Sequence, residues 1–150
     1  MTYPKEVKYL INDSRNILVG SALRKEEFAK DFDFLTLYNL NYLLGIIPFK
    51  YKILRSGDKF VSLYVPNSKI YIDIWTSSMA QIPYDFVRRS LPKNKIIELN
   101  SVAKQKGLSL SSYGLYRKDG SKVKLRNPTP EKIIKYIHPS MDIPDYIYNF

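Results

Sequence analysis

The sequence predicts an α+β fold, and three observations carry that prediction. Short runs of β-branched and aromatic residues with period-two alternation, such as Phe32-Asp33-Phe34-Leu35 and Ile70-Tyr71-Ile72-Asp73-Ile74, recur through the first half. Apolar residues at helical spacing, Val7, Leu10 and Ile11 among them, interrupt those runs. Turn chemistry, Ser56-Gly57-Asp58 and Lys118-Asp119-Gly120-Ser121, then folds neighbouring runs into hairpins.

In chain order, residues 6–13 read as a helix and residues 16–19 as a strand running into Gly20-Ser21. Residues 22–29 read as a short helix with Ser21 near its N-cap, and residues 32–38 as a strand. Residues 39–46 suit a helix that ends at Gly45. Residues 49–55 and 60–65 form a hairpin, and Asn67-Ser68 turns into a strand over residues 70–76, for a mixed sheet of about five strands. Past a boundary at residues 77–83 come helices at 84–89 and 95–106, the second stopped by Gly107 as a C-cap. Residues 108–110 and 115–116 read as short strands, 118–121 as a hairpin turn with 122–126 as partner strand, and 130–136 as a last helix opened by Pro130. The chain thus divides into residues 1–80 and a small basic α+β subdomain at 81–150.

Composition narrows the function classes. One hundred and fifty residues, 45% of them hydrophobic, suffice for one domain or two small subdomains. No run of eighteen apolar residues exists, and the N-terminus lacks the apolar stretch of a signal peptide, so a soluble, intracellular protein without a membrane partner is expected. The absence of cysteine excludes disulfides, thiolate catalysis and cysteine-bound zinc. Residues 1–85 hold 11 Lys/Arg against 9 Asp/Glu, or +2, whereas residues 86–150 hold 13 against 5, or +8. A basic half beside an acidic centre suits a polymer of phosphates.

The acidic centre is the chemical signal. Residues i and i+2 of a strand share a face, so Asp31 and Asp33 project together, and Asp73 shares a face with Tyr71 and Trp75, opposite Ile70, Ile72 and Ile74. Pairing the two strands brings three carboxylates together. Because the flanking residues favour burial, ionised aspartates there are expected to carry a desolvation cost that a cation must offset. An oxygen-only donor set suits Mg²⁺, with Mn²⁺ as substitute. Gly20-Ser21 ahead of a helix is an anion seat, with backbone N–H groups, the Ser21 hydroxyl and Arg24 one turn on as donors.

Gly20-Ser21, Arg24, Asp31, Asp33 and Asp73, with nine residues between Ser21 and Asp31, are similar to the pattern of the DNA polymerase X (polymerase β-like) nucleotidyltransferases. Pro83-Tyr84, Lys106-Gly107, Ser112-Tyr113-Gly114-Leu115-Tyr116, Thr129 to Ile134 and Ile143-Pro144 resemble the C-terminal subdomain of the minimal viral polymerase X, which lacks a lyase domain. The resemblance runs from about Val7 to Asp145. It implies a nucleotidyltransferase palm followed by a subdomain that binds nucleotide and DNA. It further implies two-metal transfer from a dNTP to the primer 3′-OH of a primer-template or gapped duplex, in DNA repair, by a monomer located in the host cytoplasm or virion. Asp31, Asp33 and Asp73 would be the catalytic metal ligands, with Asp73 the proton acceptor. Gly20, Ser21, Arg24, Arg88 and Arg89 would bind nucleotide. Lys93, Lys95, Lys104, Lys106, Arg117, Lys118, Lys122, Lys124 and Arg126 would hold DNA.

The chain also departs from that pattern. An ungapped count from Asp73 puts Arg88-Arg89-Ser90-Leu91 where polymerases X carry an aromatic-aromatic-Thr-Gly segment beside the incoming sugar, which implies altered sugar selection. Tyr71 replaces a basic residue two positions before the third aspartate. Only about fifteen residues precede the first strand, so abasic-site lyase activity is expected to be absent. Two other readings keep some of these features: transfer to an RNA end, small molecule or protein acceptor, and a nucleic-acid-binding module without turnover. Trp75 and the thirteen tyrosines are expected mostly in the core or half-buried on the sheet, and His138 as a helix C-terminal residue.

Overall fold

Five strands, β1 (Asn16–Val19), β2 (Asp31–Thr36), β3 (Lys52–Ser56), β4 (Phe60–Val65) and β5 (Ile70–Thr76), form one mixed sheet in the order β1-β2-β5-β4-β3 in the computed structural model, which describes residues 3–23 and 29–150. β2 and β5 run parallel, and the other neighbours are antiparallel. The chain divides into two compact units, Met1–Ser78 and Met79–Phe150.

In the first unit, the period-two pattern sorts side chains to two faces. Phe32, Phe34, Val61, Leu63, Val65, Ile70, Ile72 and Ile74 form a buried cluster with Val7 and Leu10 of α1 (Lys5–Ile11) and Leu40 and Leu43 of α3 (Leu40–Ile46). Each such side chain contributes about 1.5–3 kcal/mol when fully buried. The alternate positions of β2 and β5 take the other face, where Leu35 is buried and Asp31, Asp33, Tyr71, Asp73 and Trp75 stay half-buried or exposed.

Polar bonds fix the sheet's β1 edge. The Thr36 hydroxyl donates to Asn16 Oδ1 at 2.7 Å, and Asn16 Nδ2 donates to the Leu10 carbonyl at 3.2 Å, so a buried polar pair ties α1 to β1 and β2. Next to it, the Tyr38 hydroxyl donates to Asp13 Oδ2, and Arg15 Nη1 donates to Tyr38 Oη at 3.1 Å. Asn39 caps α3 by accepting from the N–H groups of Asn41 and Tyr42. That helix does not end at Gly45. It continues to Ile46 and stops where Ile47, held extended ahead of Pro48, cannot take helical angles. Pairing in β3 begins at Lys52 rather than residue 49.

α2 (Gly20–Leu23) opens at the Gly-Ser turn, and residues 24–28 of the expected helix lie outside the described residues. Ala29, expected as its last residue, is not helical.

The second unit contains α4 (Ile82–Ser90), with Pro83 in its first turn, and α5 (Lys93–Gln105), which starts two residues earlier than expected, directly after Pro92. Gly107, at φ +69°, follows the α5 C-cap. β6 (Leu108–Ser111) pairs antiparallel with β7 (Gly114–Arg117). The expected strand at 122–126 is absent. Only a bridge between Tyr116 and Lys122 and the Val123 N–H bond to Leu115 O at 2.7 Å remain, because Asn127 at φ +47° and Pro128 turn the chain away. α6 (Pro130–Ile137) is capped by Thr129, whose hydroxyl accepts from the Lys132 N–H, and buries Ile133, Ile134 and Ile137. His138 is its C-cap, and Nε2 lies 3.0 Å from Glu98 Oε2. A 3-10 helix over Asp145–Asn149, which the sequence pattern does not reveal, is anchored by Ile147 and by the Tyr146 hydroxyl bond to Ser90 O at 2.7 Å. No helix among the described residues is long and apolar enough to cross a membrane.

Candidate active site

The carboxylate positions meet through backbone register. Asp33 of β2 and Asp73 of β5 are direct partners across the parallel pairing, on strands about 4.8 Å apart. Asp31 lies two residues earlier on the same face, opposite Tyr71. One lateral row therefore reads Val19, Asp33, Asp73, Ser62 and Arg55 across β1, β2, β5, β4 and β3.

Gly20 adjoins this row. It follows β1 and opens α2 at φ +74°, a backbone region that costs any residue with a β-carbon. A β-carbon built there would lie 3.2 Å from Asp33 Cγ and overlap Oδ2. Glycine is required twice, by torsion and by space. Gly20 and Asp33, apart in sequence, are therefore packed together, and Ser21 next in the chain is half-buried.

Burial differs from expectation. Asp31 is exposed, and Asp33 and Asp73 are half-buried, because they occupy the face opposite the helix-covered core. Asp33 and Asp73 keep part of their surface in water, so burial alone does not oblige a cation there. Among the described residues no group of three His, Cys, Asp or Glu is assembled for a metal ion. The donor chemistry still fits a hard divalent cation: the positions offer oxygen only, two stand abreast on neighbouring strands, and the partly open face leaves room for the waters that Mg²⁺ keeps.

Arg24 lies outside the described residues. Arg88 and Arg89 belong to α4 in the second unit, where Arg88 is exposed and Nη1 donates to Ser112 Oγ, while Arg89 is half-buried. The remaining expected DNA contacts also belong to that unit. Lys93, Lys104, Lys118, Lys124 and Arg126 are exposed, and Lys95 is half-buried. Lys106, Arg117 and Lys122 also serve structure: Lys106 Nζ donates to Ile137 O at 2.6 Å, Arg117 Nη1 to Lys122 O at 3.3 Å, and Lys122 Nζ lies 6.0 Å from the centroid of the Tyr84 ring. Between the end of α5 and β7, an open cleft of about 560 Å³ is lined by Lys106, Arg117, Lys118, Asp119 and Tyr136. The Ser121 hydroxyl and N–H donate to Asp119 and hold its carboxyl below the usual range.

Two site-face residues escape sequence reading. Ser62 is buried opposite Asp73, and Arg55 completes the row only because the β3–β4 register shifts between Ile53 and Arg55. No alternation pattern reports such a shift. Comparison with protein-family models and with curated protein sequences gives no match.

Proposed function

We propose that the first unit is a nucleotidyltransferase centre of the polymerase X kind, and that the chain is a DNA polymerase that fills gaps in repair. The observation that supports this most is the row in which Asp33 and Asp73 stand abreast on parallel strands while Gly20 touches the Asp33 carboxylate. It brings an oxygen donor set and the Gly-Ser turn to one spot, as a triphosphate and its counter-ions require.

On this reading Asp31, Asp33 and Asp73 would hold two Mg²⁺ ions, which would neutralise phosphate charge and make a hydroxyl more acidic. Asp73 takes the proton of the primer 3′-OH as the 3′-oxygen forms a bond to the α-phosphorus of the dNTP. The bond from that phosphorus to the bridging oxygen breaks, and pyrophosphate leaves with the electron pair. The Ser21 hydroxyl donates to the departing phosphates. Arg88, Arg89 and the lysines of the second unit supply charge for nucleotide and duplex, which carry no sequence preference when held by phosphate alone.

The test is incubation with Mg²⁺, a one-nucleotide-gapped duplex and one labelled dNTP at a time. Template-matched extension is the expected result. Template-indifferent addition would move the reading to another acceptor, and binding without extension would remove the enzyme.

A further inference from the structure

The sheet face that carries the aspartates also carries a second surface. Across β4 and β5, Phe60 pairs with Trp75 and Tyr64 with Tyr71, on either side of Ser62 and Asp73. The ring centroids lie 5.0 Å and 5.1 Å apart. Tyr71 is 43% exposed, although it sits on the central strand of the sheet. α1 and α3 pack against the opposite face.

The register shift in β3 supplies cations to the same surface. Lys52 opposes Tyr64, and Arg55 opposes Ser62, so both share the aromatic face. With unbroken pairing Leu54 would oppose Ser62 and Arg55 would turn to the other side. The Arg55 guanidinium carbon lies 5.6 Å from the centroid of the Phe60 ring. Every residue of β3 is exposed. Charge is therefore graded across the face, from Asp31 and Asp33 on β2, through aromatic rings on β5 and β4, to Lys52 and Arg55 on β3.

We propose that this face binds a single-stranded polynucleotide, with its bases stacked on Tyr71 and Tyr64 and its phosphates over Lys52 and Arg55. An aromatic row with exposed ring surface offers any base a stacking surface, and cations on one side only set where the backbone runs. A duplex hides its base faces in its own stack and cannot use the rings. The inference goes beyond nucleotidyl transfer and does not depend on it.

Trp75, the only tryptophan, reports locally. A twelve-residue oligo-dT or oligo-rU should quench its fluorescence on titration. Tyr71→Leu should weaken single-strand affinity about tenfold, within the range for one stacked base, whereas Tyr71→Phe should retain it. Neither variant should change affinity for a blunt duplex of equal length. Lys52→Ala with Arg55→Ala should lower the salt slope of single-strand binding by about 1.4, at roughly 0.7 per cation. Single-strand affinity of Tyr71→Leu within twofold of wild type, or no quenching at saturation, overturns the proposal. Asp73→Asn separates the two readings: it should stop nucleotide incorporation without reducing oligo-dT affinity. An inactive wild-type chain with Tyr71-dependent binding would refute the polymerase alone.

Discussion

Gly20 stands against the carboxylate of Asp33 with no room for a side chain between them. Gly20→Ala should therefore lose about 1–3 kcal/mol, from left-handed torsion and from overlap. In a chain of this length that lowers the melting temperature by about 2–4 °C per kcal/mol. Adding Asp33→Ala removes the overlap but not the torsion, so the penalty of Gly20→Ala should shrink in the double variant. Thermal melts of the four proteins check this; additive shifts would mean that the contact carries no energy.

Asp33 and Asp73 are like charges on adjacent strands. Without a cation they repel, so Asp73→Asn should leave the melting temperature unchanged or raise it, with Asp33→Asn as the companion variant for activity. On the proposed function each should cut dNTP incorporation by at least about a hundredfold. Single-nucleotide gap filling and a thermal melt on the same preparations test both halves. Unimpaired incorporation by Asp73→Asn would remove it as proton acceptor.

Mg²⁺ should raise the melting temperature of the wild-type protein, since a ligand of the folded state stabilises it by mass action. The rise should vanish in Asp33→Asn and persist in Asp13→Asn, whose carboxylate lies at the β1 edge and bonds Tyr38. Scanning calorimetry with and without chelator distinguishes the two variants.

Asp13 provides a pH signature. The Tyr38 hydroxyl and the Arg15 N–H donate to its carboxyl and hold it below the usual range, with the Arg15 charge adding a smaller pull. A depressed native pKa gives stability that is fully present above the unfolded value of about 3.9 and is lost as pH falls through the native value. The side chain is 31% exposed and Arg15 62%, so screening keeps the gain small. Tyr38→Phe should move the Asp13 titration upward, toward about 3.9, in a carboxyl-detected NMR series, and Asp13→Asn should flatten stability below about pH 4.

The strands that bear the candidate site are legible because alternation is a strong signal when one face is covered. Ile70, Ile72 and Ile74 are buried, and the intervening Tyr71, Asp73 and Trp75 are not. Alternation separates two faces without saying which is wet, and so the aspartates were expected in a drier setting than they occupy. The start of α6 at Pro130 follows from local turn chemistry, whereas α4 begins at Ile82, two residues before the expected start at 84, and the end of α3 is set by Ile47-Pro48 rather than by Gly45. The pairing of β6 with β7, the failed strand at 122–126 and the shifted β3 register depend on contacts between segments. A sequence window holds none of those.

The shifted register in β3 has one more effect. β3 closes one side of the sheet, where its outward amide and carbonyl groups form an open template for another copy's strand. An extra residue at the kink breaks the spacing of that template, and Lys52 and Arg55 put like charge on any second copy that approaches it. The same kink that turns a cation toward the rings thus works against strand addition at this edge.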